Sequence, residues 1–460
     1  MSLLQEFLAI TEDWRDVFPQ VRTFRRGVRQ ALGSLVCLGR RCLTRIIWTN
    51  GGQNRSWSAE YFLHSRSQWD AQQLFRPILK RALEHCPQRL VGVALDDTRL
   101  RKTGRSIPQA FYQRDPLSPP FHVNLVLGLR FLQASVLVPL HRNAPVGTRA
   151  VPIRFQEVSR VKRPGKKATE ELKQQYREAV KQKNLSRSFV EMGQQLRTEM
   201  DQAGGHGKVL VLAGDGSFCN RTCFAEIPER SVLLVRARKD ARLCFRASSE
   251  EGRRFYALAK FTPEQVRQDD HRAWKTTKVF YGGKRRKVRY KEVTEVYWQR
   301  GAKQRPLRLI VIAPTPYRKS HSKRLYYRDP AYLFTNDLRS APKQLLQIYF
   351  DRWQIEVNHR EEKDTLGVGQ AQLWNVTSVP RQPVLAVAAY SALLLASLLA
   401  FGAARGAAYA TLPKWRRSAR RPSCLDLITL LRKEMAQQPA LLAPFGFQTT
   451  DSGLVRAAAA

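Results

Sequence analysis

The stretch Ser340–Gly367, SAPKQLLQIYFDRWQIEVNHREEKDTLG, decides the reading of this chain. It opens with Ser340 as a candidate N-cap and Pro342 in the first turn, and it closes at Gly367, a natural C-terminal stop. Nothing between them breaks a helix. At about 100° per residue, Tyr349, Arg352, Glu356 and Lys363 fall within a stripe roughly 60° wide, with His359 at its margin. On the same projection Glu361 lies roughly 120° and Glu362 roughly 80° from the stripe's nearest edge. An aromatic hydroxyl, two cations and one carboxylate thus share a face. That set suits a site binding metal and phosphate together, although ion pairs at helical spacing also decorate plain surface helices.

Tyr349-x2-Arg352-x3-Glu356-x6-Lys363 resembles the Tyr-Arg-Glu-Lys signature of bacterial insertion-sequence transposases of the IS-four type, and Trp353 after the arginine is also similar. The resemblance implies a cut-and-paste DDE enzyme. Its fold would be α/β: a ribonuclease-H-like catalytic core interrupted by a β-rich insertion, with helical N- and C-terminal regions. It also implies two aspartates elsewhere in the chain to join Glu356.

The rest of the sequence offers both. Residues 90–98, LVGVALDDT, form a short apolar strand ending in carboxylates. Alternation places Gly92, Ala94 and Asp96 on one face and Val91, Val93, Leu95 and Asp97 on the other. The family's Asp-x-Thr pattern selects Asp96, with Asp97 as the alternative. His122–Leu132 and Ser135–His141 read as two further strands, and 142–165 as an irregular, Pro-rich basic stretch. A long polar helix, Ala168–Gly204, turns Phe189, Met192 and Leu196 inward. Residues 208–220, KVLVLAGDGSFCN, then form a strand ending in Gly-Asp-Gly-Ser. An Asp there is an N-cap or turn residue in many proteins; in this chain Asp215 is the best second aspartate.

Between Asp215 and Glu356 the segments 231–238, 276–281, 285–293, 297–300 and 307–313 are β-rich and mostly basic. They resemble the insertion that hairpin-forming members carry ahead of their glutamate, where an aromatic stabilises a flipped base. Tyr297, Trp298, Tyr326, Tyr327 and Tyr332 are all candidates for that stacking role, and Trp298 is also counted among the DNA contacts. The expected organisation is 1–88 as a helical, Arg-rich DNA-binding region, 89–224 and 339–410 as the two parts of the core, 225–338 as the insertion, and 411–460 as a C-terminal helical region with a basic linker at 413–422. Helical residues in 423–450 are a candidate dimer contact.

The charge points to the partner. Lys and Arg number 79 against 38 Asp and Glu, a net +41 spread along the chain. Such an excess requires a polyanion, with nucleic acid ahead of an anionic membrane. Seven cysteines, an odd number, speak against a disulfide scaffold and for a reducing compartment. Without a His/Cys cluster at zinc spacing, Asp96, Asp215 and Glu356 are the hard oxygen ligands for two Mg²⁺ ions, with Mn²⁺ as a substitute. Arg352, Lys363, Tyr349 and His359 would contact phosphate. Val384–Ala404 carries no charge over a length that could span a bilayer, but reads better as a buried core helix.

The resemblance therefore implies a transposase that cleaves element ends through a hairpin intermediate and joins them to target DNA. Its partners would be terminal inverted repeats, target DNA and a second copy in the synaptic complex, and its place the bacterial cytoplasm at the nucleoid, with no membrane. A transposase-derived DNA-binding protein, and a two-metal nuclease without strand transfer, are the alternatives. Either DNA reading requires steep salt dependence, because each neutralised phosphate releases counterions. Duplex binding titrated from about 50 to 200 mM salt should lose affinity by orders of magnitude if six or more phosphates are contacted; a near-flat plot would favour the membrane reading.

Overall fold

A computed structural model describes residues 1–53, 56–115, 118–119, 121–140, 147–318, 324–401 and 422–447. The expected basic linker at 413–422, apart from Pro422, lies outside the described residues.

Twelve strands are described. They are β1 Leu90–Arg101, β2 Phe111–Arg114, β3 Leu125–Pro139, β4 Thr148–Glu157, β5 Val209–Gly214, β6 Ser231–Arg236, β7 Lys275–Tyr281, β8 Lys284–Val296, β9 Leu307–Ile312, β10 Pro316–Tyr317, β11 Tyr326–Tyr327 and β12 Ala331–Thr335. The main helices are α1 Leu3–Glu12, α2 Val21–Val36, α3 Leu43–Thr49, α4 Ser58–Ser65, α5 Phe75–Glu84, α6 Glu170–Gln182, α7 Leu185–Gln202, α8 Arg221–Ala225, α9 Pro263–Gln268, α10 Gln299–Ala302, α11 Pro342–Asp351, α12 Gln354–Arg360, α13 Ser378–Phe401 and α14 Cys424–Gln437.

Ten strands make one mixed, mostly antiparallel sheet in the order β2-β3-β1-β5-β6-β12-β9-β8-β7, with β4 paired to β3. Only β1–β5 and β5–β6 run parallel among its pairs. The strands expected within 225–338 thus extend the central sheet: β6, β12, β9, β8 and β7 continue it outward from β5. Several local expectations change. β1 runs on to Arg101, so its aspartates sit inside the strand, held by pairing with β3 beyond the point where β5 ends. The two strands expected around 122–141 are one, β3. The stretch read as irregular contains β4, which zips onto β3 with a register shift at Ala134/Ser135. The long polar helix is two, because Asn184 leaves helical geometry and caps α7, accepting from the Arg187 amide. Residues 299–302 are a helical turn rather than strand. Phe189, Met192 and Leu196 are buried as expected.

The sheet's two faces are covered differently. On one, Val91, Val93 and Leu95 join a core built around α13. This helix is nearly all apolar and almost wholly buried, so although long and apolar enough to cross a membrane it serves as the central core helix. α1, α2 and α5 pack about it. The N-terminal arginines are partly used within this packing: Arg26 lies 3.3 Å from Glu60, and Arg29 binds both Glu60 and the Phe445 carbonyl. The apolar face of α14, with Leu427, Ile428, Leu431 and Met435, is buried in the same core, and Arg432 donates to the Val36 carbonyl. That face of the candidate dimer helix is therefore occupied within the chain.

On the other face lie α11 and α12. Leu345 and Leu346 pack on Val211, Leu234 and Ile310, while Ile355 packs on Ala94, Leu137 and Ala150. Gly92 makes the approach possible: a Cβ there would stand 3.0 Å from Ile348 and 3.0 Å from Leu137. Gly92→Val should therefore overpack this interface and destabilise the protein by about 1–3 kcal/mol. A thermal melt showing an unchanged Tm would contradict the close docking of α11.

Candidate active site

The register of β1 against β5 places the two aspartates. Leu90 pairs with Val209, and the ladder runs to Ala94 opposite Ala213. The ladder stops there; carried two residues further along each strand, the same register would set Asp96 opposite Asp215, and the two carboxylates are near enough for Asp215 to act on Asp96. Asp215 follows the last residue of β5 in extended conformation; it also caps the turn after it, accepting from the Ser217 amide at 2.9 Å. The cap reading and the site reading of Asp215 are thus compatible.

Alternation separates Asp96 from Asp97. Asp96 shares the face of Gly92 and Ala94, which is covered by α11 and α12. Asp97 lies on the other face and is paired with Arg130 at 2.8 Å. The ion pair engages Asp97 on its own face, although Asp96 still feels the Asp97 charge as well as that of Asp215. Burial, then Asp215, pushes Asp96 up to about 7 against the pull of Arg352. Burial also raises Glu356, with Arg352 opposing and Asp215 adding to the rise. Asp215 therefore interacts with both other carboxylates. Lys363, lowered chiefly by burial, feels Asp96 as well.

The signature stretch is not one unbroken helix. Ala341 rather than Ser340 occupies the N-cap position, and the Ser340 amide donates to Asp337. α11 and α12 are separated at Arg352–Trp353, where bonds tighten to the third residue back: Ile355 N to Arg352 O at 3.0 Å and Glu356 N to Trp353 O at 3.1 Å. The halves lie over different parts of a twisted sheet, which a straight helix could not follow. After α12 the turns widen to a π segment, Glu361–Thr365, that closes at Gly367 with φ +58°. The widening lets Glu361 accept from the Tyr390 hydroxyl on α13 while Glu362 enters the core beside Gln133.

Despite the break, Arg352 and Glu356 remain on one face, with Nη2 and Oε1 3.6 Å apart. Arg352 Nε is buried without a hydrogen-bond partner among the described residues. Such an orphaned cationic donor beside carboxylates is unfavourable unless something anionic completes it. Tyr349 is half-buried, with its ring edge-on to Phe350.

Two expected contacts change. His359 is buried and pushed down to about 3 by burial, with Lys363 adding to the effect, so it is a neutral core imidazole and no cationic phosphate contact. Trp298 packs at 6.2 Å against Phe224 and 5.5 Å against Phe334, part of the core rather than a free stacking platform. Tyr332 is likewise buried, hydrogen-bonded to Glu264. Sequence reasoning missed Arg130, Gln133 and the burial of Glu362. Gln133 faces Asp96 across β1–β3, a pairing no local pattern announces.

The profile of the family described as DDE superfamily endonuclease matches residues 16–305, more than half of the chain. The chain belongs to this family. It is accordingly an enzyme of the nuclease and transposase class, with DNA as its substrate, and its mixed α/β fold is consistent with that class. The match includes Asp96 and Asp215 and stops short of Glu356. None of the curated proteins compared with the chain matches it.

Enzymes of this superfamily generally use divalent metals. The donors available here are carboxylate oxygens, the hard ligands that suit Mg²⁺, and the adjacent, mutually repelling Asp96 and Asp215 would be relieved by a cation. Among the described residues, however, no group of three or more His, Cys, Asp or Glu is gathered tightly enough to hold an ion. The residues fit a metal in chemistry and are not drawn together around one.

Glu362 gives a test of the register behind the site. Burial raises it from the ordinary 4.5 to about 8. A carboxyl raised on folding stabilises the fold least where the unfolded chain is ionised, so its contribution is present below about 4.5 and is lost as pH rises towards 8. Each unit of difference is worth about 1.4 kcal/mol. Glu362→Gln, uncharged and of equal size, should therefore remove part of the loss of stability between those pH values. Denaturant melts of both proteins across that range check this; parallel pH profiles would place Glu362 in solvent.

Proposed function

We propose that this protein is a cut-and-paste DNA transposase of the IS-four type, with a ribonuclease-H-like core in which Asp96, Asp215 and Glu356 are the catalytic carboxylates. The observation that supports the reading is that Asp96, on the face covered by α11 and α12, lies just past the end of the β1–β5 ladder and is influenced by Asp215 and Arg352, while Glu356 is influenced by the same two groups. The carboxylates would hold two Mg²⁺ ions, replaceable by Mn²⁺, which supply activation of the attacking oxygen and neutralisation of the leaving one.

This chain's own residues do the rest. Arg352, with its unpartnered Nε, holds a non-bridging oxygen of the scissile phosphate, and Lys363 places a second positive charge beside Asp96. Tyr349 lends a hydroxyl at the rim. Asp215 is fixed by its cap, so its carboxylate does not reorganise as charge develops. Water or a 3′-hydroxyl attacks phosphorus in line, the bond to the bridging oxygen breaks, and that oxygen leaves with a proton. Cleavage at the element ends proceeds through a hairpin, and the freed 3′-hydroxyl then attacks target DNA. Two protomers synapse the terminal inverted repeats, in the bacterial cytoplasm. Trp353, more than half exposed next to Arg352, is better placed than Trp298 to meet a base.

Glu356→Gln should abolish Mg²⁺-dependent cutting of the element's ends while leaving duplex binding nearly intact. Arg352→Ala and Lys363→Ala should weaken both. Glu361→Gln should cut near the wild-type rate. A Glu356→Gln protein that cuts as fast as wild type, with circular dichroism unchanged, would sink the assignment.

A further inference from the structure

α6 is a helix that the fold does not use. None of its residues is buried, and Leu172 and Val180 remain exposed although the helix is amphipathic. Lys173, Arg177 and Lys181 stand four residues apart along one face, about 6 Å per step. Glu170 engages the first two, at 2.8 and 3.6 Å, and leaves Lys181 free of it. The loop before the helix adds exposed Lys162, Arg163, Lys166 and Lys167. From Arg160 to Arg187 the chain holds ten Lys or Arg against three Glu.

Both ends of this segment are rooted at the catalytic edge. On entry, Val158 N donates to the carbonyl of Arg130, the residue paired with Asp97. On exit, Ser186 accepts from Asn220, in the turn that follows Asp215, and Phe189 stacks on Phe218 of that turn at 4.4 Å. The excursion leaves from beside one aspartate-bearing strand and returns beside the other. It does so on the sheet face opposite α11 and α12, since Phe189 and Met192 belong to the α13 core.

We propose that residues 160–187, α6 with its basic loop, form an arm that grips the phosphate backbone of duplex DNA flanking the cleaved position, opposite the Arg352 side of the site. The inference rests on the functional reading above. The partner is a duplex because the charge is a rail along a helix instead of a pocket, and a rail meets a repeating row of phosphates. An exposed thirteen-residue helix without tertiary packing is marginal by itself, so DNA would also order it.

The test uses the full chain. Two variants neutralise the arm: Lys173→Gln/Arg177→Gln/Lys181→Gln, and Lys162→Gln/Arg163→Gln/Lys166→Gln/Lys167→Gln. Glutamine keeps helix propensity, and no buried side chain is touched. Lys80→Gln/Arg89→Gln, exposed residues on α5 and just ahead of β1 at the end away from the aspartates, is the control. Each arm variant should flatten the slope of log affinity against log salt by about 2 units or more, since each lost phosphate contact removes about 0.9. Single-turnover cutting at saturating DNA should stay within about twofold of wild type, and the control should change the slope least. α6 amides should exchange quickly in the free protein and at least tenfold more slowly with a duplex. Slopes equal to wild type, or α6 exchange indifferent to DNA, would overturn the arm. So would an arm variant whose only change is the DNA-free oligomeric state, which would make α6 a contact between copies. If wild type itself neither cuts DNA nor shows salt-dependent binding, the functional reading fails; if wild type does both and the arm variants match it, the arm alone fails.

Discussion

The parallel pairing of β1 with β5 is the constraint on which the rest depends. Two neighbouring strands in this register carry their chains to two carboxylates just past the end of the ladder, near enough for Asp215 to act on Asp96. Placing like charges side by side under a helix layer is unfavourable: burial and mutual repulsion leave Asp96 near 7. The fold resists this with apolar packing beneath them. Val91, Val93 and Leu95 lock β1 into the core around α13, and the ladder to β3 continues past the aspartates to Arg101. β1 is thus held from both sides where it carries the charges, and Arg130 removes the one carboxylate that faces the wrong way.

The helix layer covers the Asp96 face and carries Arg352, Glu356 and Lys363 without being a rigid rod. α11 is tied to the sheet by the Phe350–Tyr281 stack at 4.6 Å and by Gln347, which bonds both backbone groups of Phe280. α12 is tied through Ile355 and through Asn358, which donates to the Ala150 carbonyl. The break between them and the π segment beyond adjust the direction of the chain so that Arg352, Glu356 and Lys363 keep to the site while Glu361 and Glu362 turn to α13 and β3. Departures from ideal helix here are where the proposed site residues Arg352 and Lys363 sit.

The charge of the chain finds a structural distribution rather than a single patch. Some cations are committed internally, as Arg29, Arg149 and Arg308 are by carbonyls and carboxylates. Others crowd the catalytic edge: Arg352 and Lys363 under the helix layer, and the loop and helix of residues 160–187 on the far side. A duplex laid across that edge would meet cations on both sheet faces, which a net charge alone could not predict.

The sequence by itself determined which residues are candidates for the chemistry. The spacing of Tyr349, Arg352, Glu356 and Lys363, the apolar run into Asp96 and the Gly-Asp-Gly-Ser after β5 are local patterns, and local patterns survive in one dimension. They located the core character of α13 and the inward residues of α7, and they nominate the three carboxylates of the proposed site. Alternation left Asp96 and Asp97 distinguishable only by resemblance, since either face could have been the site. Tertiary structure separates them physically: Asp97 pairs with Arg130, while Asp96 lies on the strand face covered by α11 and α12, through partners far away in the chain. It also decided that His359 and Glu362 are buried, that Trp298 packs against the core, that β4 zips onto β3, that strands expected as an insertion extend the central sheet, and that the signature helix bends. Burial and strand pairing are properties of what lies opposite a residue; a sequence records the residue and not its neighbour across the sheet.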